Sequence, residues 1–164
     1  DADSDADTDP TGDLIFSEIS DSDSNAKFVE VYNAGPTTVD LTGWTIERYA
    51  NGSTSSTAFD LSGTLASGEM LVLVQSVNSF QSMYGFAPDG DDAFVFANNG
   101  DDVLELRDGG ALVDIIGVVG QSSGAWDYTD SSARRNAGVT SGSTTWQAGE
   151  WTIDDWNNAT PGVR

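Results

Sequence analysis

Residues 28–53, FVEVYNAGPTTVDLTGWTIERYANGS, read as two strands joined and followed by turns. In KFVEVYN (27–33) Val29 and Val31 fall on one face of an extended chain, and Phe28, Glu30 and Tyr32 on the other. NAGP (33–36) and ANGS (50–53) carry turn chemistry, and GWTIERYA (43–50) lies between them as the second strand. Asn33 and Asp40 stand at strand ends, where short polar side chains bond turn backbone. Gly43 lets the chain reverse ahead of Trp44, whose large ring is a natural core plug.

The same texture extends in both directions. LIFSEIS (14–20), MLVLVQ (70–75), AFVFAN (93–98), VLELRD (103–108) and ALVDIIGVVG (111–120) are short β-rich runs. MLVLV and VDIIGVV are apolar on both faces, as strands inside a sandwich are. NNGDD (98–102) and DGG (108–110) supply further turns. Only VNSFQSMYGF (77–86) has helical spacing, through Val77, Phe80 and Tyr84. Beyond Gly120 the chain turns polar and glycine-rich, with further strands expected near 133–136 and 146–152. Four of the five tryptophans lie there, and Trp146, Trp151 and Trp156 recur at a spacing that fits neither a strand nor a helix face. The expectation is an all-β sandwich of about nine short strands over 14–164, preceded by an acidic arm at 1–13.

Composition narrows the function. The chain has 27 acidic residues against 6 basic ones, a formal net charge of −21. Such a surface repels a phosphate backbone, so direct, metal-free nucleic-acid binding is disfavoured. It suits cations, a high-salt environment or plain solubility. With no cysteine there is neither a disulfide framework nor a thiolate metal site. With no histidine, the Ser-His-Asp and Cys-His mechanisms and the usual neutral-pH base are gone. No apolar run reaches the ~18 residues of a membrane span. The abrupt aspartate start reads as a fragment of a longer chain, so neighbouring domains are expected as partners of a monomeric unit.

The residues resemble the prokaryotic lamin tail domain family. Its E-x-Y-N, D-L-x-G-W and L-x-x-G hallmarks correspond to Glu30, Tyr32, Asn33, Asp40, Leu41, Gly43, Trp44, Leu65 and Gly68. The longer bacterial form has an Asp-Asp pair, a twin-Arg stretch and a Glu-Trp pair, like Asp91–Asp92, Arg134–Arg135 and Glu150–Trp151. The resemblance covers most of 14–156. It implies an immunoglobulin-like β-sandwich, similar to accessory modules beside secreted nucleases, phosphatases and other surface hydrolases, without chemistry of its own.

The arm DADSDADTDPTGD (1–13) resembles aspartate-rich, calcium-binding repeats of the thrombospondin type 3 kind. Ca²⁺ takes six to eight hard oxygens, and alternating aspartates present them, so Asp3, Asp5, Asp7, Asp9, Thr11 and Asp13 are candidate ligands. A second register, DTDPTGDLIFSE (7–18), fits an EF-hand-like loop with Gly12 at its turn and Glu18 at its twelfth position, although a strand follows it. The alternative is a disordered acidic linker kept extended by its charge. DSDSN (21–25) and PDGDD (88–92) form a second possible oxygen cluster if their loops meet.

Acid pairs drawn from Glu47, Glu105, Asp114 or Glu150 could suggest a glycosidase, but abundant acid makes chance pairs inevitable. Lys27, the only lysine, is expected to be an ordinary strand-start residue rather than an isopeptide donor. Trp126, Tyr128, Trp146, Trp151 and Trp156 either close the ends of the sandwich or stack on a polysaccharide. The leading expectation is a non-catalytic, calcium-associated accessory domain of a secreted or cell-surface microbial protein. A carbohydrate-binding module is the alternative, and salt adaptation competes with calcium as the reason for the charge.

Overall fold

The computed structural model describes residues 14–164. Six strands form one sheet: β1 (Leu14–Ser20), β2 (Phe28–Asn33), β7 (Met70–Val74), β8 (Gly90–Asp91), β11 (Ser131–Arg135) and β12 (Trp151–Asp155). Their order is β12-β11-β1-β2-β7-β8, antiparallel except for the β7–β8 pair. A second sheet has the order β10-β9-β4-β5, from β4 (Trp44–Tyr49), β5 (Thr57–Asp60), β9 (Val103–Asp108) and β10 (Ala111–Ile116). A small ribbon pairs β3 (Val39–Asp40) with β6 (Thr64–Leu65). The architecture is the all-β sandwich that the turn-punctuated runs implied.

The core fills the space between the two sheets. Val29 and Val31 point into it, with Leu14, Phe16 and Ile19 of β1, Trp44 and Ile46 of β4, and Leu104 and Leu106 of β9. Phe28 lies on the opposite face of its sheet, as alternation requires. There it packs with Val72 and Val74 of β7 and with Phe80 of the helix α1 (Val77–Tyr84). Ser76 caps the start of α1 by accepting from the Ser79 amide, and Gly85, left-handed at φ 81°, ends it. Phe28 meets Phe80 and Tyr84 edge-on at 5.9 and 5.7 Å.

The turn residues do what their chemistry suggested. Asn33 donates to the carbonyls of Thr37 and Leu65 and accepts the Gly35 amide, while Asp40 accepts the Thr42 amide. Other expectations need correction. AFVFAN (93–98) is not a strand: the Asp92 carboxylate accepts the amides of Phe94 and Val95, each at 2.8 Å, and winds the chain into a turn. Val95 and Phe96 still reach the core, whereas Phe94 is 76% exposed. The last long strand stops at Ile116 rather than Gly120. Gly117 turns at φ 100°, where a Cβ would come within 2.8 Å of the Val103 side chain. The small strands β3, β5, β6 and β8 raise the count to twelve.

One ion pair joins the two sheets. Asp114 on β10 pairs with Arg135 on β11 at 2.5 Å, and both side chains are essentially inaccessible. Asp114 also accepts the Phe16 amide of β1 at 2.9 Å and the Ser143 amide at 3.0 Å. Arg135 reaches Glu150 with its other arm at 2.5 Å and lies 4.9 Å over the Trp151 ring. Burial raises the Asp114 carboxyl from its ordinary value, against the pull of Arg135 and the two amides. Removing the Asp114 charge leaves the buried Arg135 with the half-buried Glu150 as its only carboxylate partner among the described residues. Asp114→Asn is therefore expected to cost about 3–5 kcal/mol in urea unfolding.

Candidate functional site

The register of the six-stranded sheet draws a polar row across its outer face. Thr152 of β12 stands opposite Arg134 of β11, Arg134 opposite Glu18 of β1, and Glu18 opposite Glu30 of β2. A register shift between Phe16 and Glu18 puts a bulge at Ser17. The Ser17 hydroxyl then donates to Glu30 Oε1 at 2.6 Å. Two carboxyls directly opposed on neighbouring strands repel if both are ionised, and here both are almost wholly buried.

The segment 159–164 covers them. Its Thr160 amide donates to both oxygens of Glu18 at 3.1 Å, and its Gly162 amide donates to Glu30 Oε2 at 2.5 Å. Ala159 packs on the Phe28–Phe80 cluster, and the Arg164 guanidinium lies 4.6 Å over the Tyr32 ring. Burial pushes the Glu18 carboxyl up to about 7, with the Glu30 charge adding to the rise and Thr160 and Arg134 opposing it. Glu30 is also raised by burial, against the Ser17 hydroxyl, the Gly162 amide and Arg164. Between this row and the covering segment lies a cavity of about 330 Å³, walled by Arg134, Arg135, Asn136, Thr152, Val163 and Arg164.

A carboxyl that titrates near neutrality beside a cavity has the proton affinity of a general acid. Both Glu18 oxygens, however, face the Thr160 amide, which is an arrangement for holding a segment down. Glu18, the expected twelfth position of a calcium loop, lies within β1, and its carboxyl oxygens accept the Thr160 amide. The other metal candidates, Asp3, Asp5, Asp7, Asp9, Thr11 and Asp13, lie outside the described residues.

The second oxygen cluster does not assemble. Asp21 pairs with Lys27 at 2.6 Å and accepts the Asp130 amide, while Asp89 accepts the Val72 amide. Among the described residues no three acidic side chains gather as a cation site would need. Glu47 and Glu105 do face each other across β4 and β9, but Arg107 and the Tyr49 hydroxyl bind Glu105 at 2.6 and 2.8 Å. Asp114 and Glu150 are bound to Arg135.

The five aromatic candidates separate by burial. Trp126 and Tyr128 are 1% and 0% exposed, so neither offers a face to a sugar. Gly124 lets the Trp126 indole in, since a Cβ there would meet its Nε1 at 2.7 Å. Trp151 is closed between Arg135 and Trp146, whose ring stacks on it at 5.8 Å. Trp146 and Trp156 keep partial exposure, each at the edge of a recess. What the sequence reading missed is the Glu18–Glu30 pair with its cover. The available signal was a single acid in each of two largely apolar strands, LIFSEIS and FVEVYN.

This sandwich, with its small helix and structural polar clusters, is an immunoglobulin-like domain. The lamin tail domain family matches residues 7–120, and the chain belongs to that family. The lamin tail domain is an immunoglobulin-like family not known as catalytic. Comparison with curated proteins gives no significant match. The twin arginines and β12 lie beyond the matched span, yet they complete the sheet that the span begins, and Arg135 stands opposite Trp151.

Glu18 holds its proton more tightly in the folded chain than at its ordinary value of 4.5. Its contribution to stability is therefore complete below about pH 4.5 and is lost as pH rises through about 7. The loss is up to about 3 kcal/mol. Urea unfolding across that window should show the wild type losing stability relative to Glu18→Gln, which lacks the titrating group.

Proposed function

We propose that this domain is a non-catalytic accessory module of a secreted or cell-surface protein, and that it positions or anchors a neighbouring catalytic domain. In this reading Asp3, Asp5, Asp7, Asp9, Thr11 and Asp13 hold Ca²⁺, and the ion stiffens the arm. The observation that carries it is how the arm joins the fold. It runs into Leu14, a fully buried residue that opens a central strand hydrogen-bonded on both sides. Any stiffening of residues 1–13 is then transmitted to the whole sandwich rather than lost in a loose edge. The large negative charge favours cations, and calcium modules of modest affinity suit the millimolar calcium outside cells. The buried acids of the sandwich fit an accessory role too, because they bind strands and segments to one another.

Calorimetric titration with CaCl₂ after exhaustive chelation is expected to give saturable heat and a higher Tm. KCl at equal ionic strength is expected to give neither, which separates a site from salt adaptation. Loss of the heat in a variant with Asp3, Asp5, Asp7 and Asp9 changed to Asn would place the ion in the arm. Absence of heat in the wild type, with an unchanged Tm, would remove calcium from the reading.

A second reading, a carbohydrate-binding module, rests on Trp146. Its ring edges an apolar recess of about 500 Å³ with Leu112, Ile115, Val118 and Val119. Affinity electrophoresis against neutral polysaccharides, comparing the wild type with Trp146→Ala, decides it. A retarded wild type and an unretarded variant support binding, and equal migration of the two ends it.

A further inference from the structure

Half of the positive charge in a chain of net −21 lines one cavity: Arg134, Arg135 and Arg164, of six basic residues in all. The three are unequally engaged. Arg135 is bound by Asp114 and Glu150 at 2.5 Å each. Arg134 makes only long contacts, to Asp154 at 3.4 Å, the Asn158 carbonyl at 3.3 Å and the Thr160 hydroxyl at 3.5 Å, and remains about one-third exposed. Arg164 has no carboxylate within ion-pair distance among the described residues, and its guanidinium donates to the main-chain carbonyls of Asn136 and Val139. Its Nη1 is buried with no hydrogen-bond partner.

The floor of the cavity carries two buried carboxyls, Glu18 and Glu30. Burial pushes the Glu18 carboxyl up to about 7 and raises that of Glu30 from its ordinary value. The groups facing Glu18 are Glu30 from β2, Arg134 from β11 and Thr160 from the covering segment. A protonated carboxyl is a donor, so near neutrality and below the cavity presents guanidinium forks and an acid O–H. Val163, 65% exposed, and Ala137 add apolar surface at its wall. A planar monoanion with a short apolar body matches this set: the guanidinium fork fits a carboxylate. A phosphate dianion would bring a second negative charge toward two carboxyls.

We propose that this cavity binds small monocarboxylates, with the carboxylate on Arg134 and Arg164 and the apolar end against Val163 and Ala137. The site is independent of calcium in the arm and of the recess beside Trp146. Because the bound anion favours the protonated form of Glu18, binding takes up a proton. Affinity is thus greatest below neutrality and falls above it, by at most about tenfold per pH unit.

Amide-resolved NMR titration of the whole chain tests this, with sodium propionate, its neutral isostere propionamide, and inorganic phosphate. Propionate is expected to shift the amides of Ser17, Asn136 and residues 160–164 saturably, more tightly at about pH 6 than at about pH 8. Propionamide is expected to leave them in place, and phosphate to bind about tenfold more weakly or worse. Arg134→Gln should weaken propionate about tenfold or more, while Arg107→Gln, a cation on the other sheet, should not. If Arg134→Gln does not fold, Arg134→Lys, which keeps the charge and loses the fork, is expected to weaken binding in the same direction. Non-saturable shifts, equal response to propionamide, or wild-type affinity in a folded Arg134 variant would each overturn the proposal.

Discussion

The fold depends on a carboxylate placed where two sheets meet. Asp114 projects from β10 of the four-stranded sheet and binds a guanidinium from β11 and an amide from β1, both in the six-stranded sheet. Apolar contact alone would let the sheets slide, because burial has no preferred direction. An ion pair with two further amide donors does have one. Replacing such a pair with well-packed apolar residues is often neutral or better for stability, so its use here is registry. A slip of β10 against the six-stranded sheet would break the Asp114 bonds to Phe16 and Arg135 together. The Trp151 ring and Glu150 complete the enclosure of Arg135, which accounts for a twin-Arg stretch and a Glu-Trp pair far apart in sequence.

The outer face of the same sheet follows a different rule. Its apolar part is closed by α1, and its polar part by the segment 159–164. Glu18 and Glu30 are the price of holding a segment that has little apolar surface of its own. They exchange hydration for two backbone amides and a hydroxyl, and raised proton affinity is the visible cost. The cavity beside them is walled by arginines from β11 and from the covering segment.

Much of the fold was legible because its signals are local. Alternation in FVEVYN separated Val29 and Val31 from Phe28, and Asn33, Asp40 and Gly43 announced turns through their own backbone chemistry. Length and polarity hid the rest. Two-residue strands such as Val39–Asp40 carry no periodicity, and Thr57–Asp60 is polar and largely exposed. AFVFAN misled because its pattern is that of a strand while one upstream aspartate, Asp92, decides otherwise. The site was harder still, since Glu18, Glu30, Arg134 and Thr160 are joined only by register and a late return of the chain. Abundant aromatic residues in a glycine-rich stretch read equally as surface or as plug. The difference lay in Gly117 and Gly124, whose missing side chains make room for the Trp126 ring.

The position of β1 has a consequence for how the molecule comes together during synthesis. One flank of Leu14–Ser20 is met by β2 almost as soon as it is made, but the other waits for Ser131–Arg135, which a ribosome delivers over a hundred residues later. Until then a strand with one apolar face has an open hydrogen-bonding edge, the kind of template on which nascent chains stick to one another. Pairings this distant along the chain also slow folding. The dense negative charge of the chain has a use in that interval: it keeps half-built copies apart while the last two strands are still to arrive.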